Sequence, residues 1–443
     1  MKIHFIGIGG IGVSALTQYY LTREGYKVSG SDLASSEITR LLKEKGAKVF
    51  IGKHKPGNLP DDVNLVIYSP AVLVTNPEFK KAKKLGVGVI SYPEALGELT
   101  RRYFTIAVSG THGKSTTASM IAQILIKAAL EPTVIVGTKL KEFGNTNFYA
   151  GKGKFLVIEA DEWQASFLKY WPKVIVLTNI EKEHLDYYKN LEDILKTFKE
   201  YIGHLSKKGL LIANAEDENI AKILPLTKTY KIEKYSLKQK EAKKIKKILQ
   251  VPGNHNVSNA LAALVVARSL GVPDEVSFKA LSEFKGTWRR FEVKKGAIDS
   301  KRFTIISDYG HHPTEIEATL AAVREKFPNK KIWCVFQPHQ YQRTFYLFDD
   351  FVKVFSEALT GKKEILEKAI ITDIYSVAGR EKAEIKKKVN SNKLVQAINN
   401  ERAEYLPKEK IKNYLKKNLK NGQILIVMGA GDIYEIAESL SCR

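Results

Sequence analysis

The sequence predicts an α/β protein that is built from parallel sheets and divided into three consecutive domains. Short apolar runs, such as Phe104–Val108 and Val174–Leu177, alternate with helix-length amphipathic segments along most of the chain. This order of strand, crossover helix and strand is typical of parallel sheets. The length of 443 residues corresponds to roughly three domains at about 150 residues each. We place the domains at residues 1–98, 99–293 and 294–443.

The first domain is predicted from apolar runs that alternate with helical spacing; Val13, Leu16, Tyr20 and Leu21, for example, lie on one helical face. Its predicted strands are Ile3–Ile6, Lys27–Ser29, Val63–Tyr68 and Val87–Ile90, and its helices are Gly12–Arg23, Glu37–Lys45 and Pro77–Leu85.

The second and third domains repeat the pattern, with strands that are nearly all apolar, as expected for strands buried on both faces. The second has strands Phe104–Val108, Phe155–Ile158 and Val174–Leu177 and helices Lys114–Ala129 and Asn256–Leu270. The third has strands Phe303–Ile306, Lys331–Phe336, Ala369–Thr372 and Ile424–Val427 and helices Pro313–Glu325, Phe345–Leu359 and Ile433–Leu440.

Composition excludes several classes of protein. Two cysteines, Cys334 and Cys442, form no disulfide framework and no zinc spacing, which favours a reducing cytoplasm. No apolar run reaches about 18 residues, and the start MKIHFIGIGG enters a strand directly, so we expect neither membrane insertion nor a signal peptide. The net charge of +23 permits a nucleic-acid partner. However, the densest lysine cluster, Lys238–Lys247, lacks aromatic residues and is typical of a solvated surface, so we expect no nucleic acid.

The strongest motif is VSGTHGKSTT, Val108–Thr117, in which a strand enters a glycine-rich turn and Lys114 and Ser115 open a helix. Backbone N–H groups of such a turn bind phosphate oxygens, the lysine reaches the β- and γ-phosphates, and the hydroxyl is a Mg²⁺ ligand. The usual first glycine is replaced by Val108, so this is a variant phosphate loop.

Acidic and imidazole side chains follow two strands of the same domain. Glu159 ends one strand, and Glu181, Glu183 and His184 follow the next. Ligands of α/β sheets bind at the carboxyl ends of strands, so these residues are candidates for a Mg²⁺ site. Taken alone, each would more often be a surface loop residue.

A second glycine loop, GIGGIG over Gly7–Gly12, matches the dinucleotide fingerprint, and Asp32 follows the next strand. The motif suggests an NAD-dependent dehydrogenase. A UDP-sugar satisfies the same chemistry, however, because the loop needs only a diphosphate and the acid only a ribose or a base. Close packing alone is a third explanation.

Four further segments carry polar side chains at helix openings or strand ends. The Asn side chains of PGNHNVSNALAA suit adenine edges, although Asn256 could simply cap a helix. SDYGHHPTE and FQPHQYQRT together form a plausible pocket for a carboxylate or an amine, with Arg343 as anion clamp. In WRRF, Arg289 or Arg290 could contact phosphates or could be ordinary surface charge.

Taken together, these segments resemble the Mur ligase family. The matching segments are HFIGIGGIG, VSGSD, SGTHGKSTT, EADE, TNIEKEHLDYY, GNHNVSNALAA, TWRRF, DYGHHPTE, FQPHQYQRT and GAGD, which follow the family order over nearly the whole chain. The resemblance implies an N-terminal Rossmann-like domain for a UDP-sugar, a central P-loop ATPase-like domain, and a C-terminal Rossmann-like domain for the amino acid.

Within the family, the segments are most similar to members that join L-alanine to the lactyl carboxylate of UDP-N-acetylmuramate, with ATP converted to ADP through an acyl phosphate. This implies a cytoplasmic enzyme of peptidoglycan precursor synthesis, and hence of cell-wall biogenesis, cell shape and cell division. It also implies ATP, UDP-N-acetylmuramate and L-alanine as partners, Mg²⁺ as cofactor, and a monomer or homodimer.

The resemblance also implies residue roles. The implied catalytic residues are Lys114, His184, His311 and Arg343. The implied ATP-binding residues are Gly110, Thr111, His112, Gly113, Lys114, Ser115, Thr116, His255, Asn256, Asn259, Arg290 and Asp308. The implied UDP-sugar residues are Gly7, Gly9, Gly10, Gly12, Asp32 and His339, and the implied Mg²⁺ ligands are Ser115, Glu159 and His184.

The chain departs from the usual family pattern at four positions: Trp163, Gln164, Glu183 and Gln340. Three alternatives stay open at this point. They are a murein tripeptide ligase of the same family, an NAD-dependent dehydrogenase, and a nucleic-acid-stimulated ATPase.

Overall fold

The computed structural model describes residues 1–224, 230–360, 364–377 and 381–442. Residues 228 and 229 of the lysine-rich stretch 228–250 lie outside this range. Internal contacts divide the chain into two units. The first comprises the described residues of 1–180, 194–239 and 259–281, and the second those of 181–193, 240–258 and 282–443.

The first sheet lies in the first unit and is parallel throughout. Its strands are β1 (Lys2–Ile6), β2 (Lys27–Asp32), β3 (Lys48–Ile51), β4 (Leu65–Tyr68) and β5 (Gly88–Ser91), and their order is β3-β2-β1-β4-β5. The accompanying helices are α1 (Ile11–Leu21), α2 (Glu37–Glu44), α3 (Pro77–Lys84) and α4 (Tyr92–Arg102). Side chains of Ser36, Asn76 and Ser91 cap α2, α3 and α4, which explains why these helices start where they do.

The second sheet also lies in the first unit. Its strands are β6 (Phe104–Ser109), β7 (Thr133–Leu140), β8 (Thr146–Tyr149), β9 (Phe155–Glu159), β10 (Val174–Leu177), β11 (Leu210–Asn214) and β12 (Lys231–Tyr235). Their order is β12-β11-β10-β6-β9-β7-β8, and only the β7–β8 pair is antiparallel among these described strands. The helices in the chain from Lys114 to Glu283 are α5 (Lys114–Lys127), α6 (Leu191–Ile202), α7 (Glu218–Ile223), α8 (Glu241–Ile248), α9 (Asn254–Ser269) and α10 (Asp274–Glu283). Helices α5 and α7 belong to the first unit and α8 to the second, and the limits of the units fall within α6, α9 and α10.

The third sheet lies in the second unit. Its strands are β13 (Glu292–Ile298), β14 (Lys301–Asp308), β15 (Ile332–Phe336), β16 (Lys368–Ile371), β17 (Ala403–Tyr405) and β18 (Ile424–Met428), in the order β13-β14-β18-β15-β16-β17. The helices are α11 (Pro313–Lys326), α12 (Tyr341–Tyr346), α13 (Phe348–Thr360), α14 (Ala383–Lys388), α15 (Ser391–Ile398), α16 (Lys408–Asn418) and α17 (Tyr434–Leu440).

Both faces of the third sheet are covered, as its apolar strands predict. Ile306 and Phe336 belong to one buried cluster, whereas Ile305 and Val335 belong to another. Successive strand residues point to opposite faces, so adjacent residues serve two cores. The strand Val174–Leu177 is equally buried in the second sheet.

The predicted α/β class with parallel sheets is confirmed, and the predicted strands recur within a few residues. One predicted helix, Phe345–Leu359, is wrong in its limits, because the chain breaks at Leu347 into α12 and α13. Seven of the described strands were not predicted: β3, β7, β8, β11, β12, β13 and β17, of which β8 and β13 pair antiparallel with their neighbours. Strand β13 begins at Glu292, just before the domain limit predicted at 294, and the domain limits themselves stay predictions. Among the described helices, none has the length and apolar character needed to cross a membrane.

Candidate functional site

The phosphate loop of the first unit follows β6 and ends where α5 begins at Lys114. Gly110 and Gly113 have φ values of +134° and +83°, which side-chain-bearing residues rarely adopt. A Cβ at Gly110 would lie 2.1 Å from Thr178 Oγ1, and a Cβ at Gly113 would lie 2.6 Å from Asn259 Oδ1. Both glycines are therefore required by the geometry of the turn, and Asn259 lies against it.

Residues that follow β10 hold this loop in place. Asn179 accepts from Thr111 N through its carbonyl at 2.9 Å and from His112 N through its side chain at 2.8 Å. Thr178 Oγ1 donates to the His112 carbonyl at 2.6 Å. Thr178 and Asn179 were not among the predicted site residues, although their position directly after a buried strand is typical of ligand-site residues in α/β sheets.

The Lys114 ammonium is held by a buried carboxylate. Its Nζ donates to Glu162 Oε2 at 2.8 Å and to the carbonyls of Gly110 and Thr111 at 2.5 and 3.1 Å. Burial alone would lower the pKa of Lys114, but Glu162, with Asp161 as second carboxylate, raises it above its ordinary value. Lys114 is therefore a permanent cation in this loop. Glu162 lies in the EADE motif, but its pairing with Lys114 was not predicted.

Two oxygen atoms that could be metal ligands, Ser115 Oγ and Glu159 Oε2, lie in contact beside the loop. Ser115 Oγ donates to Glu159 Oε2 at 2.9 Å, and Gly137 N donates to Glu159 Oε1 at 2.5 Å. Thr116 is buried in the same first turn of α5. A hydroxyl and a carboxylate in contact are the hard oxygen ligands that Mg²⁺ prefers. The oxygen atoms of Ser115 and Glu159 in the first unit thus fit a Mg²⁺ ion.

The N-terminal glycine loop between β1 and α1 is shaped by contacts inside the protein. Gly7 has φ +79°, and Gly10 is its exposed tip. Asp32 Oδ2 accepts a hydrogen bond from Gly9 N at 2.8 Å. A Cβ on Gly12 would lie 2.9 Å from the Tyr92 ring, so the last glycine of the fingerprint is needed for packing.

In the second unit, Arg343 forms a buried ion pair that the sequence did not reveal. Its Nε lies 3.0 Å from Glu183 Oε1 and its Nη2 lies 2.8 Å from the same atom. Burial alone would raise the pKa of Glu183, but Arg343 holds it well below the ordinary value. His339 accepts from Arg343 Nη1 through its carbonyl at 2.8 Å.

His184 follows Glu183 with φ +54°, and its carbonyl accepts from Tyr187 N at 2.8 Å. It belongs to the second unit, whereas Glu159 and Ser115 belong to the first.

The DYGHHPTE turn joins β14 to α11. His311 Nδ1 lies 3.1 Å from the Tyr309 carbonyl and 3.2 Å from Glu315 Oε2. Burial lowers the pKa of His311 to about 3, so the imidazole is neutral near pH 7. Asp308 accepts from Phe291 N at 2.7 Å and from Gly310 N at 2.8 Å, and burial raises its pKa.

The two arginines of WRRF have different environments. Arg289 is buried, and its Nη2 donates to the carbonyls of Gly429 and Gly431, the latter at 3.0 Å. Arg290 lies over the Tyr309 ring at 4.9 Å and 3.3 Å from Glu315 Oε1. Only Arg290 keeps a partly exposed side chain for a ligand.

The GNHNVSN segment opens α9 at Asn254, two residues before the predicted start. Asn256 Nδ2 donates to the Pro252 carbonyl at 2.7 Å, so it holds the preceding turn. Burial lowers the pKa of His255 to about 4, with the Arg290 charge as a second cause.

Family models match three successive parts of the chain: "Mur ligase family, catalytic domain" over residues 2–104, "Mur ligase middle domain" over 108–267 and "Mur ligase, glutamate ligase domain" over 289–431. The chain therefore belongs to the Mur ligase family, a class of ATP-dependent ligases, and its phosphate loop lies in the part that the middle-domain model matches.

Similar proteins and structures indicate which members of the family this chain resembles. The chain is 46% identical to a UDP-N-acetylmuramate–L-alanine ligase of Aquifex aeolicus (strain VF5), over 84% of each chain. The crystal structure of UDP-N-acetylmuramate-alanine ligase MurC from Thermotoga maritima superposes with TM-score 0.79 and 26% identity, covering 99% of this chain and 98% of that one. A murein peptide ligase from Psychrobacter arcticus shares the fold, with TM-score 0.73 and 22% identity over 99% of this chain and 98% of that one. These matches favour the ligase interpretation over a dehydrogenase or a nucleic-acid-stimulated ATPase.

Proposed function

We propose that this protein joins L-alanine to the lactyl carboxylate of UDP-N-acetylmuramate and converts ATP to ADP. The observation that carries the proposal is the 46% identity, over 84% of both chains, to a relative named for this reaction. The reaction belongs to peptidoglycan precursor synthesis, and we assign it to the cytoplasm. We keep domain limits at 98/99 and 293/294 for the sugar-nucleotide, ATP and amino-acid parts.

The proposed ATP site is the loop Gly110–Thr116. Backbone N–H groups at the start of α5 bind the phosphates, and Lys114 exchanges part of its contact with Glu162 for the γ-phosphate. The lactyl carboxylate attacks that phosphate, which gives an acyl phosphate and ADP. Both reactants are anions, so the Lys114 cation lowers the barrier by offsetting their repulsion.

Ser115 and Glu159 fit a Mg²⁺ ion through their hydroxyl and carboxylate oxygens. When bound, the ion neutralises phosphate charge. We propose His184 as a further ligand, as the family resemblance implies.

We propose that the loop Gly7, Gly9, Gly10 and Gly12 binds the diphosphate of the sugar nucleotide at the opening of α1. Asp32 supports this role indirectly, because its hydrogen bond to Gly9 N fixes the loop. His339 is proposed to contact the same substrate.

The remaining proposed roles fall on the ATP base and on the amino acid. His255, Asn256, Asn259, Arg290 and Asp308 are proposed for the nucleoside end of ATP. His311 is proposed for the amino-acid pocket. There the amine of alanine attacks the acyl carbon, the amide bond forms and inorganic phosphate leaves. Because a pKa of about 3 makes the His311 imidazole neutral and weakly basic, we assign it to orienting the amine through a hydrogen bond.

The test is product formation. ADP release and product mass are measured with UDP-N-acetylmuramate and ATP, and with L-alanine, glycine, L-serine or the murein tripeptide as acceptor. L-Alanine is expected to give the highest kcat/KM. Preference for the tripeptide would instead support the murein peptide ligase, whose fold this chain shares. A size-exclusion profile in the same buffer separates monomer from homodimer.

A further inference from the structure

We propose that Glu183 and Arg343 are positioning residues that hold His339 in the tautomer with its proton on Nε2. The inference rests on the proposed function, because His339 is assigned there to the sugar nucleotide. It replaces the expectation that Arg343 itself clamps a substrate carboxylate. Glu183, Arg343 and His339 all belong to the second unit.

The ion pair between Glu183 and Arg343 is buried. The side chains of Arg343 and Glu183 are 5% and 7% exposed. Arg343 Nε lies 3.0 and 3.2 Å from the two Glu183 oxygens, and Nη2 lies 2.8 Å from Oε1. Because the guanidinium is planar, the hydrogen bonds of Nε and Nη2 to Glu183 also fix the direction of Nη1 on the opposite edge.

The opposite edge of the Arg343 guanidinium contacts His339. Arg343 Nη1 lies 2.8 Å from the His339 carbonyl and 3.1 Å from His339 Nδ1. A guanidinium has only donors and keeps its protons in proteins. His339 Nδ1 must therefore accept, so a neutral His339 carries its proton on Nε2.

The orientation of the His339 ring is set by Tyr375 and by the neighbouring backbone. The Tyr375 ring lies parallel to His339, with centroids 5.5 Å apart and planes 7° apart. Gln340 N donates to the Tyr375 carbonyl at 2.9 Å, and Tyr375 N donates to the Pro338 carbonyl at 2.8 Å. The imidazole plane is thus fixed by stacking and by the backbone on both sides.

The consequence is a neutral hydrogen-bond donor of fixed direction. An N–H on Nε2 suits an anionic oxygen of the sugar nucleotide, either on its diphosphate or on its lactyl carboxylate. Four of the five N–H groups of Arg343 donate to Glu183 or His339, and the side chain is buried. Arg343 therefore acts through His339.

The tautomer is measured directly by long-range ¹H–¹⁵N NMR of the full chain labelled in its 9 histidines, with His339→Gln used to assign the signal. The wild type is expected to show protonated Nε2, and Arg343→Lys and Glu183→Gln are expected to show a mixture of tautomers. Arg268→Lys is the matched control, because Arg268 grips Asp274 by the same two nitrogens, at 2.8 and 2.7 Å, on the surface. Protonated Nδ1 in the wild type, or no change in Arg343→Lys, would overturn the assignment.

Substrate kinetics provide the second readout. Glu183→Gln is expected to raise KM for UDP-N-acetylmuramate roughly 10-fold, the range for a hydrogen bond to a charged group, with the ATP KM unchanged. Glu183→Asp keeps the charge and should recover part of the loss. Binding of UDP-N-acetylglucosamine, which lacks the lactyl group, shows which anionic oxygen His339 contacts. If His339 contacts the diphosphate, Glu183→Gln weakens the binding of UDP-N-acetylglucosamine as well; if it contacts the lactyl carboxylate, that binding is unchanged.

A changed tautomer with unaltered sugar-nucleotide KM and binding would overturn the donor role of His339. If the wild type fails to ligate alanine, the proposed function fails, whereas the tautomer measurement still decides the role of Glu183 and Arg343.

Discussion

Replacing Glu78 by Gln is expected to destabilise the first sheet by about 3 to 4 kcal/mol at pH 7. This is the free energy that corresponds to lowering the pKa of Glu78 from 4.5 to about 2, at about 1.4 kcal/mol per pKa unit. Glu78 is fully buried next to β1 and β2. One oxygen accepts from His4 at 2.9 Å and Ser31 at 2.7 Å, and the other from His54 at 2.9 Å and Asn58 at 2.8 Å. Burial alone would raise the pKa of Glu78, but these hydrogen bonds lower it.

An amide at this position would turn an NH₂ group toward at least one of those donors. The opening free energy of β1 and β2 is read from hydrogen exchange followed by mass spectrometry. Glu94→Gln is the matched control, because Glu94 is an exposed capping carboxylate and should cost at most about 1 kcal/mol. Since the folded-state pKa lies below the unfolded one, the contribution of Glu78 is full above about pH 4.5 and is lost as the pH falls toward 2. An equal effect of the two substitutions, or stability that does not change over this pH range, would refute the reasoning.

Further predictions concern the loops. Lys114→Met should reduce ADP formation on the order of 10³-fold while circular dichroism stays unchanged, because a cation is lost at the transferring phosphate; near-normal turnover would remove Lys114 from the site. Gly113→Ala should raise the ATP KM, since its Cβ meets Asn259 Oδ1, whereas Gly57→Ala, with open space around it, should have no effect on kinetics; equal kinetics for both would argue against the loop geometry. Arg289→Met should lower the melting temperature by several degrees, because its Nη2 holds the Gly429 and Gly431 carbonyls, and the exposed Arg302→Met should not; unchanged melting of Arg289→Met would contradict that role.

Local sequence signals predicted the central strands of the three sheets but missed seven strands: β3, β7, β8, β11, β12, β13 and β17. The limits of the strand Val174–Leu177 were predicted correctly, because a run of four apolar residues is expected to be buried and not at the surface. Strand β7 escaped prediction because its sequence TVIVGTKL is interrupted by a glycine and a lysine. The break at Leu347 also lacks a local signal, because neither Pro nor Gly marks it.

Long-range pairs in the site could not be predicted in the same way. Arg343 and Glu183 are 160 residues apart in sequence, and only the fold brings their charges together. The sequence suggested a substrate anion as the partner of Arg343, because the FQPHQYQRT segment around it contains no carboxylate. Gln340 is similar: it differs from the usual family residue, yet it is buried with φ +71° next to Arg343, so a backbone constraint acts at this position as well.

The glycine fingerprint shows why one motif predicts two chemistries. Asp32 accepts from Gly9 N, and Gly12 leaves room for the Tyr92 ring, so both features are satisfied within the protein before any ligand binds. Such a loop forms for a dinucleotide or for a UDP-sugar alike, and the motif cannot distinguish them. Lys114 is the residue that distinguishes a ligase from a dehydrogenase. Its buried ion pair with Glu162 has no role in the chemistry of a dehydrogenase. A cation kept charged at the start of a helix is useful where phosphate charge must be moved, and that requirement, with the matched family models, separates the ligase from the dehydrogenase.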